Sequence, residues 1–266
     1  MQQAEDFRAE SRALAAILKN LPEAGFHRAT QFKGWTIDHV LGHLHLFNAA
    51  AETALQGDEA FTAFIAPVRR DMQAGKPILD CQFPWLNGLS GRALFEAWRL
   101  GAESCADAFA KADPKRRLQW IGPDMSALSS VTARQMETWA HGQEIFDLLG
   151  RERQEKDRIR NIAHLGVATY GWSFRNRGLA VPEPAPFVQL TGPSGAVWEW
   201  NTPQEAGFVK GSAVEFAQVV TQVRSIADTR LQLSGGAAVS WMQIAQCFAG
   251  PPETPPGKGC RYKAEA

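Results

Sequence analysis

The alternation of apolar and polar positions divides this chain into two stretches of different texture. Up to about residue 150 the spacing is helical. Phe7, Leu14, Ile17, Leu18 and Leu21 share a face and predict a first amphipathic helix over Glu5 to Leu21, closed by Pro22 and Gly25. A second helix is predicted to start at an N-cap, Thr36, with Asp38 in its first turn and Trp35 and Val40 at the positions of a hydrophobic staple, and to run to about Gln56. On it Leu46, Phe47, Ala50 and Ala54 form the apolar stripe. His39 and His43 fall inside that stripe, whereas His45 falls with Asp38, Glu52 and Gln56 on a side expected to face water. Residues 59–73 predict a shorter helix, Lys76 to Leu89 an irregular connection, and Ser90 to Ala112 a third long helix bearing Leu94, Phe95, Trp98, Leu100 and Phe109. Val131 to Gly150 predicts a fourth, capped by Ser129 or Ser130. Four principal helices with moderate loops predict an antiparallel four-helix bundle.

After Gly150 a charged turn, RERQEKDR, marks a boundary, giving expected domains at 1–152 and 153–266. Ile159 to Arg177 predicts one helix. Phe187 to Leu190 and Val197 to Trp200, either side of Gly192-Pro193-Ser194-Gly195, predict a β-hairpin. A helix over Val214 to Val223, a strand over Thr229 to Leu233 and a last helix over Val239 to Phe248 complete a small α+β domain, with PPETPPGKG expected to be a mobile tail.

Composition narrows the classes of function. Of 266 residues, 28 are basic and 28 acidic, so no net positive charge or basic stripe exists to track a phosphate backbone, and nucleic acid is not an expected partner. No apolar run approaches the ~20 residues of a membrane span, and MQQAEDFRAE lacks the order of a signal peptide, so a cytoplasmic protein is expected. The four cysteines, at 81, 105, 247 and 260, form no C-x-x-C pair. Neither a thiolate zinc site nor a disulfide framework follows from them. Cys105 and Cys247 are expected in or near the core, and Cys260 is expected exposed.

The chemistry concentrates in the fourth helix. Glu137 and His141 are four residues apart, on one face, where they can ligate one transition metal or form an ordinary hydrogen-bonded pair. His43, one of the two inward-facing histidines of the second helix, would supply a third ligand. Arg134, Glu144 and Leu148 share the side of Glu137 and His141; Glu144 is placed to orient the His141 ring, or to pair with Arg134 or solvent. Further on, a strip of His164, Ala168, Gly171 and Arg175 would make an anion-binding wall or an ordinary helix contact.

The segments GWTIDHVLGHL (Gly34 to Leu44) and METWAHGQEI (Met136 to Ile145) resemble the mycothiol-dependent maleylpyruvate isomerase family within the wider DinB-like metal-binding superfamily. GWSFRNRG (Gly171 to Gly178) and SWMQIAQCFAGPP (Ser240 to Pro252) are similar to an uncharacterised metal-binding branch of the same group. The resemblance implies a four-helix bundle holding a divalent metal, usually zinc, through His43, Glu137 and His141, and a C-terminal domain similar to the sterol-carrier fold. It also implies a low-molecular-weight thiol (mycothiol, bacillithiol or glutathione) and a small electrophilic substrate for an isomerase or S-transferase. Relatives often carry Asp four residues after the Trp, where this chain has His39; its Asp38 is shifted by one. His39 is thereby left as a polar residue of the first turn, a group that orients a ligand, or an extra ligand. Two further readings stay open: a metal-containing binding protein with a small-ligand or lipid site in the C-terminal domain, and a metal-free Glu137–His141 pair.

Overall fold

The computed structural model describes residues 1–204 and 207–264. It separates into two compact units, Met1–Leu148 and Leu149–Ala266, dividing a few residues ahead of the charged turn.

The first unit contains α1 (Gln2–Leu18), α2 (Ile37–Ala54), α3 (Asp58–Gln73), α4 (Ile78–Leu86), α5 (Gly91–Lys111) and α6 (Ala127–Leu148). A short antiparallel pair, β1 (Arg117–Leu118) with β2 (Met125–Ser126), bridges α5 to α6. Helices α1 and α2 each pack against both α5 and α6, which makes these four the bundle; α3 and α4 lie against α2. Phe7, Leu14, Leu46, Trp98, Phe109, Val131 and Trp139 fill its interior and are essentially inaccessible to solvent. Leu100 is the exception among the expected core positions and is exposed. The predicted irregular connection contains α4 instead. Pro77 precedes its first residue, where a missing N–H costs nothing, and Asn87 closes it in the left-handed conformation. The cap of α6 is Ser126 rather than Ser129 or Ser130: its Oγ accepts from the Ser129 N–H at 3.1 Å, so the helix begins a turn earlier than the apolar pattern indicates.

The start of α2 follows the predicted signals closely. Thr36 Oγ1 accepts from the His39 N–H and His39 Nδ1 accepts from the Thr36 N–H, each at 3.2 Å, a reciprocal capping box with an imidazole in the place usually held by Glu or Gln. His39 is therefore a first-turn polar residue. Thr36→Ala is expected to destabilise the first unit by about 1 kcal/mol, with Thr36→Ser retaining most of the stability, as urea denaturation would measure. Asp38 is buried and accepts from the Gly91 N–H at 2.8 Å, which ties the start of α2 to the start of α5. Its side of α2 thus faces protein. The expectation that His45 faces water fails for the same reason: it lies against Gly101 of α5, with its ring 4.9 Å from that of Trp85. Gly101 has no side chain, and that is what admits the imidazole.

The second unit contains α7 (Arg160–Ala168), α8 (Tyr170–Arg175), β3 (Phe187–Thr191), β4 (Val197–Trp200), β5 (Phe208–Ser212), α9 (Ala213–Val220), β6 (Gln232–Ser234) and α10 (Gly236–Ile244). The expected single helix over 159–177 is broken at Thr169, whose hydroxyl donates back to the Leu165 and Gly166 carbonyls. The β3–β4 hairpin forms as predicted. The strand missed in the sequence, β5, is central: the sheet order is β4-β3-β5-β6, with β3 and β5 parallel and β5 and β6 antiparallel. Its FVKGS sequence lacks a strict alternation and carries a glycine at φ +143°, so it reads poorly as a strand. Residues of the Pro-rich tail and its neighbours, expected to be mobile, are hydrogen-bonded to the rest of the unit. Gln246 Oε1 accepts from the Glu253 N–H, Asp228 accepts from the Gly259 N–H, and Arg261 donates to the Gln222 carbonyl. Among the described residues no helix is long and apolar enough to cross a membrane.

Candidate metal centre

Three elements of the first unit build the site. A tight turn, Phe32-Lys33-Gly34-Trp35, has both central residues at positive φ (53° and 69°) and is closed by the Trp35 N–H donating to the Phe32 carbonyl at 2.9 Å. Such a turn sets its flanking residues side by side, and the Phe32 and Trp35 rings meet edge to face at 5.1 Å. The capping box then launches α2, which delivers His43 two turns on, and α6 delivers Glu137 and His141.

Both imidazoles address the same carboxylate oxygen. His43 Nε2 and His141 Nε2 each lie 3.3 Å from Glu137 Oε2, and the three donor atoms all fall within 4.8 Å of one another. These separations are long for charge-assisted hydrogen bonds. They match the edge of a tetrahedron around zinc, ~3.3 Å for metal–ligand bonds of about 2.0–2.1 Å. Among the described residues this is the only cluster of His, Cys, Asp and Glu able to hold a metal ion. Aromatic rings fix the imidazoles: Trp35 stacks on His141 at 5.8 Å and 3°, Phe32 meets His141 edge-on at 5.0 Å, and Phe47 lies 4.7 Å from His43.

The protonation states suit ligation. Burial lowers the His43 pKa to about 4, so the ring is neutral at pH 7, the form that ligates a metal. Burial would raise Glu137, but the hydrogen bonds from His141 and His43 and the charge of Arg134 hold it well below the usual carboxylate range. The site is not sealed: the side chains of His43 and His141 are each 12% exposed and that of Glu137 is 18% exposed.

Arg134, one turn before Glu137, is the functional candidate whose environment sequence reasoning misread. It is 5% exposed and makes neither a hydrogen bond nor an ion pair with any described residue; Nη1 is wholly buried without an acceptor. Its guanidinium lies 5.4 Å from the Trp120 ring centre and 5.8 Å from that of Phe47. Cation–π contacts of ~0.5–2 kcal/mol each do not offset a burial penalty of several kcal/mol for the ion. The available signal was its place three residues before Glu137 on the ligand-bearing face.

The remaining candidates have surroundings of their own. His39 closes the cap of α2. Glu144 is buried, which removes solvent as its partner, and it does not pair with Arg134. His164 and Arg175 fall on different helices, either side of the break at Thr169. His164 is exposed and accepts from the Trp200 indole N–H at 3.1 Å, and Arg175 lies along Gly171. No cysteine joins the cluster. Cys81, Cys105 and Cys247 are buried and Cys260 is exposed, with burial pushing the Cys105 thiol up to about 12.

Comparison with known proteins gives the family and the fold. Two proteins of Mycobacterium tuberculosis, the uncharacterized proteins Rv0036c of strain H37Rv and MT0041 of strain CDC 1551 / Oshkosh, are each 39% identical over 247 residues. The alignment covers 93% of this chain and 95% of theirs. Crystal structures of mycothiol-dependent maleylpyruvate isomerase and of a histidine-to-alanine mutant of it superpose with a TM-score of 0.52 at 15% identity, covering 82% of this chain and 87% of theirs. That level of likeness establishes a shared fold, helical N-terminal domain and small α+β C-terminal domain alike. The sequence pattern of the mycothiol maleylpyruvate isomerase N-terminal domain matches residues 7–146, more than half the chain and all three donor residues of the centre. The chain belongs to the mycothiol maleylpyruvate isomerase N-terminal domain family.

Proposed function

We propose that this protein is a divalent-metal enzyme, with zinc the best-suited ion, that performs a thiol-dependent isomerisation or S-transfer on a small electrophilic substrate. The observation that carries the reading is the convergence of His43 and His141 on one oxygen of Glu137. Two imidazoles and one carboxylate are the ligand set of a catalytic zinc site, which keeps a position open, rather than of a closed structural one. When bound, the ion would supply Lewis-acid polarisation of a substrate oxygen or hold a thiol as thiolate.

The residues of the chain have separable tasks. His43 and His141 present imidazole nitrogens in orientations set by Trp35, Phe32 and Phe47. Glu137 contributes one negative charge, leaving a dication site net positive and receptive to an anion such as a thiolate. The same aromatic rings exclude water from one side of the centre, which strengthens every charge interaction there. A small-molecule thiol is favoured over a protein thiol because no cysteine belongs to the donor cluster. The isomerase with the same fold is described as mycothiol-dependent, and membership of its family supports mycothiol ahead of bacillithiol or glutathione.

The test is turnover by the zinc-loaded full chain with each of the three thiols, against maleylpyruvate and a panel of activated alkenes and alkyl halides. Thiol-dependent turnover at least tenfold above that of the His141→Ala variant is expected with one or more substrates. No thiol-dependent turnover across the panel would move the protein to the class of metal-containing binding proteins.

A further inference from the structure

We propose that Arg134 is the anion receptor of the metal centre, and that the substrate or thiol taken there carries a carboxylate. The inference deepens the functional reading above and rests on it for the identity of the site. Its own observations are separate. Arg134 sits three residues before Glu137 on the same helix face, yet the two do not pair, because Glu137 Oε2 is turned to both imidazoles. Its guanidinium is buried, and no side chain or carbonyl of the described residues accepts from it. The aromatic rings of Phe47 and Trp120 lie against it, and its buried Nη1 has no acceptor.

A guanidinium needs acceptors in the plane of its fork, and aromatic faces provide none there. Protein charges kept this far from water are paired, coordinate a metal or meet a ligand. Among the described residues the carboxylate that acts on Arg134 is Glu137, and its Oε2 is engaged by the histidines. Phe47 touches both groups: its ring is 4.7 Å from that of His43 and 5.8 Å from the guanidinium carbon. An anion seated on Arg134 is thereby a single ring's breadth from the donor cluster. A planar carboxylate can meet the fork in two-point fashion, its plane in line with the flat aromatic walls.

The experiment is calorimetric titration of the zinc-loaded full chain with malonate, sulfate and the neutral analogue malonamide, with zinc content measured in parallel. Malonate is expected to bind at least tenfold more tightly than either of the others. Arg134→Met, which keeps the volume of the stem, is expected to lose malonate binding at least tenfold while retaining zinc. Arg134→Lys, which keeps the charge but not the fork, is expected to weaken it several-fold and serves as the deciding variant should Arg134→Met fail to fold. Unchanged malonate affinity in either folded variant would overturn the proposal, as would sulfate or malonamide binding as well as malonate. The same titrations on the metal-free full chain score Arg134-dependent malonate binding without the ion, so absence of zinc uptake would count against the metal reading alone.

Discussion

Replacing His43, Glu137 or His141 by alanine is expected to reduce bound metal from roughly one ion per chain to below about a tenth, as elemental analysis after zinc loading and desalting would show. Each residue supplies one of only three protein donors, so each deletion leaves a two-ligand site without the chelation that fixes a tetrahedral ion. A ligand bound only by the folded state stabilises it by RT ln(1 + [L]/Kd), about 4 kcal/mol at a thousandfold excess over Kd. The wild-type chain should therefore gain several degrees of thermal stability from zinc, and the three variants none. His27→Asn is the control. His27 is an exposed partner of Asp38 at 3.1 Å and not a member of the donor cluster, and its variant should keep the full metal content. Wild-type metal content in all three alanine variants would eliminate the centre.

Acidification is expected to be the second large effect, both on metal loading and on the stability of the metal-free chain. Metal ligation requires a neutral imidazole, so protons compete directly for His43. In the metal-free protein His43 has a folded-state pKa of about 4, against ~6.5 for an unperturbed histidine. The unfolded chain therefore takes up the proton first as pH falls. The stability of the folded state is intact above about pH 6.5 and declines between there and about pH 4, by up to ~3 kcal/mol from this residue at ~1.4 kcal/mol per unit. Burial lowers His45 and His39 as well, so both act in the same direction, and protonated His39 would lose its acceptor role in the capping box. Glu137, held below its usual range, adds a loss of stability as pH drops below ordinary carboxylate values. Asp38 works against these: burial raises it, and its protonation at low pH relieves part of that cost. Urea denaturation in EDTA at intervals from pH 7.5 to 4.5 measures the sum. A flat profile over that range would mean that His43 is as well solvated folded as unfolded.

The helical bundle and its ligand-bearing helices were legible because their signals are local. Thr36, Asp38 and Trp35 announce the start of α2 within a few residues, and an i, i+4 pair announces a shared face on α6. His43 could be chosen over His45 from helical phase, although the reason given for setting His45 aside was incomplete. Its side of α2 is not a watery face but the seam with α5, and it is a glycine on α5, Gly101, that accommodates it. Helical phase knows only whether a side is apolar; it does not know which neighbour will cover it. The same gap explains Asp38, a charged residue whose burial depends on the Gly91 N–H at the head of another helix. Strand β5 was missed because a short central strand with a glycine in it owes its existence to partners on both sides, β3 and β6.

By itself the sequence determined the two-part organisation, the helices that carry His43, Glu137 and His141, and the capping residues that set where α2 begins. Periodicity and capping operate within a turn or two of chain, so they are written in consecutive residues. Only the tertiary structure decided that both histidines meet on the same oxygen of Glu137, that Trp35 and Phe32 lock the His141 ring, and that Arg134 is buried without a protein acceptor. Those facts depend on how α2 and α6 pack and on where the Trp120 loop lies over them. Packing at that distance is set by shape and burial over the whole bundle, which no local pattern records.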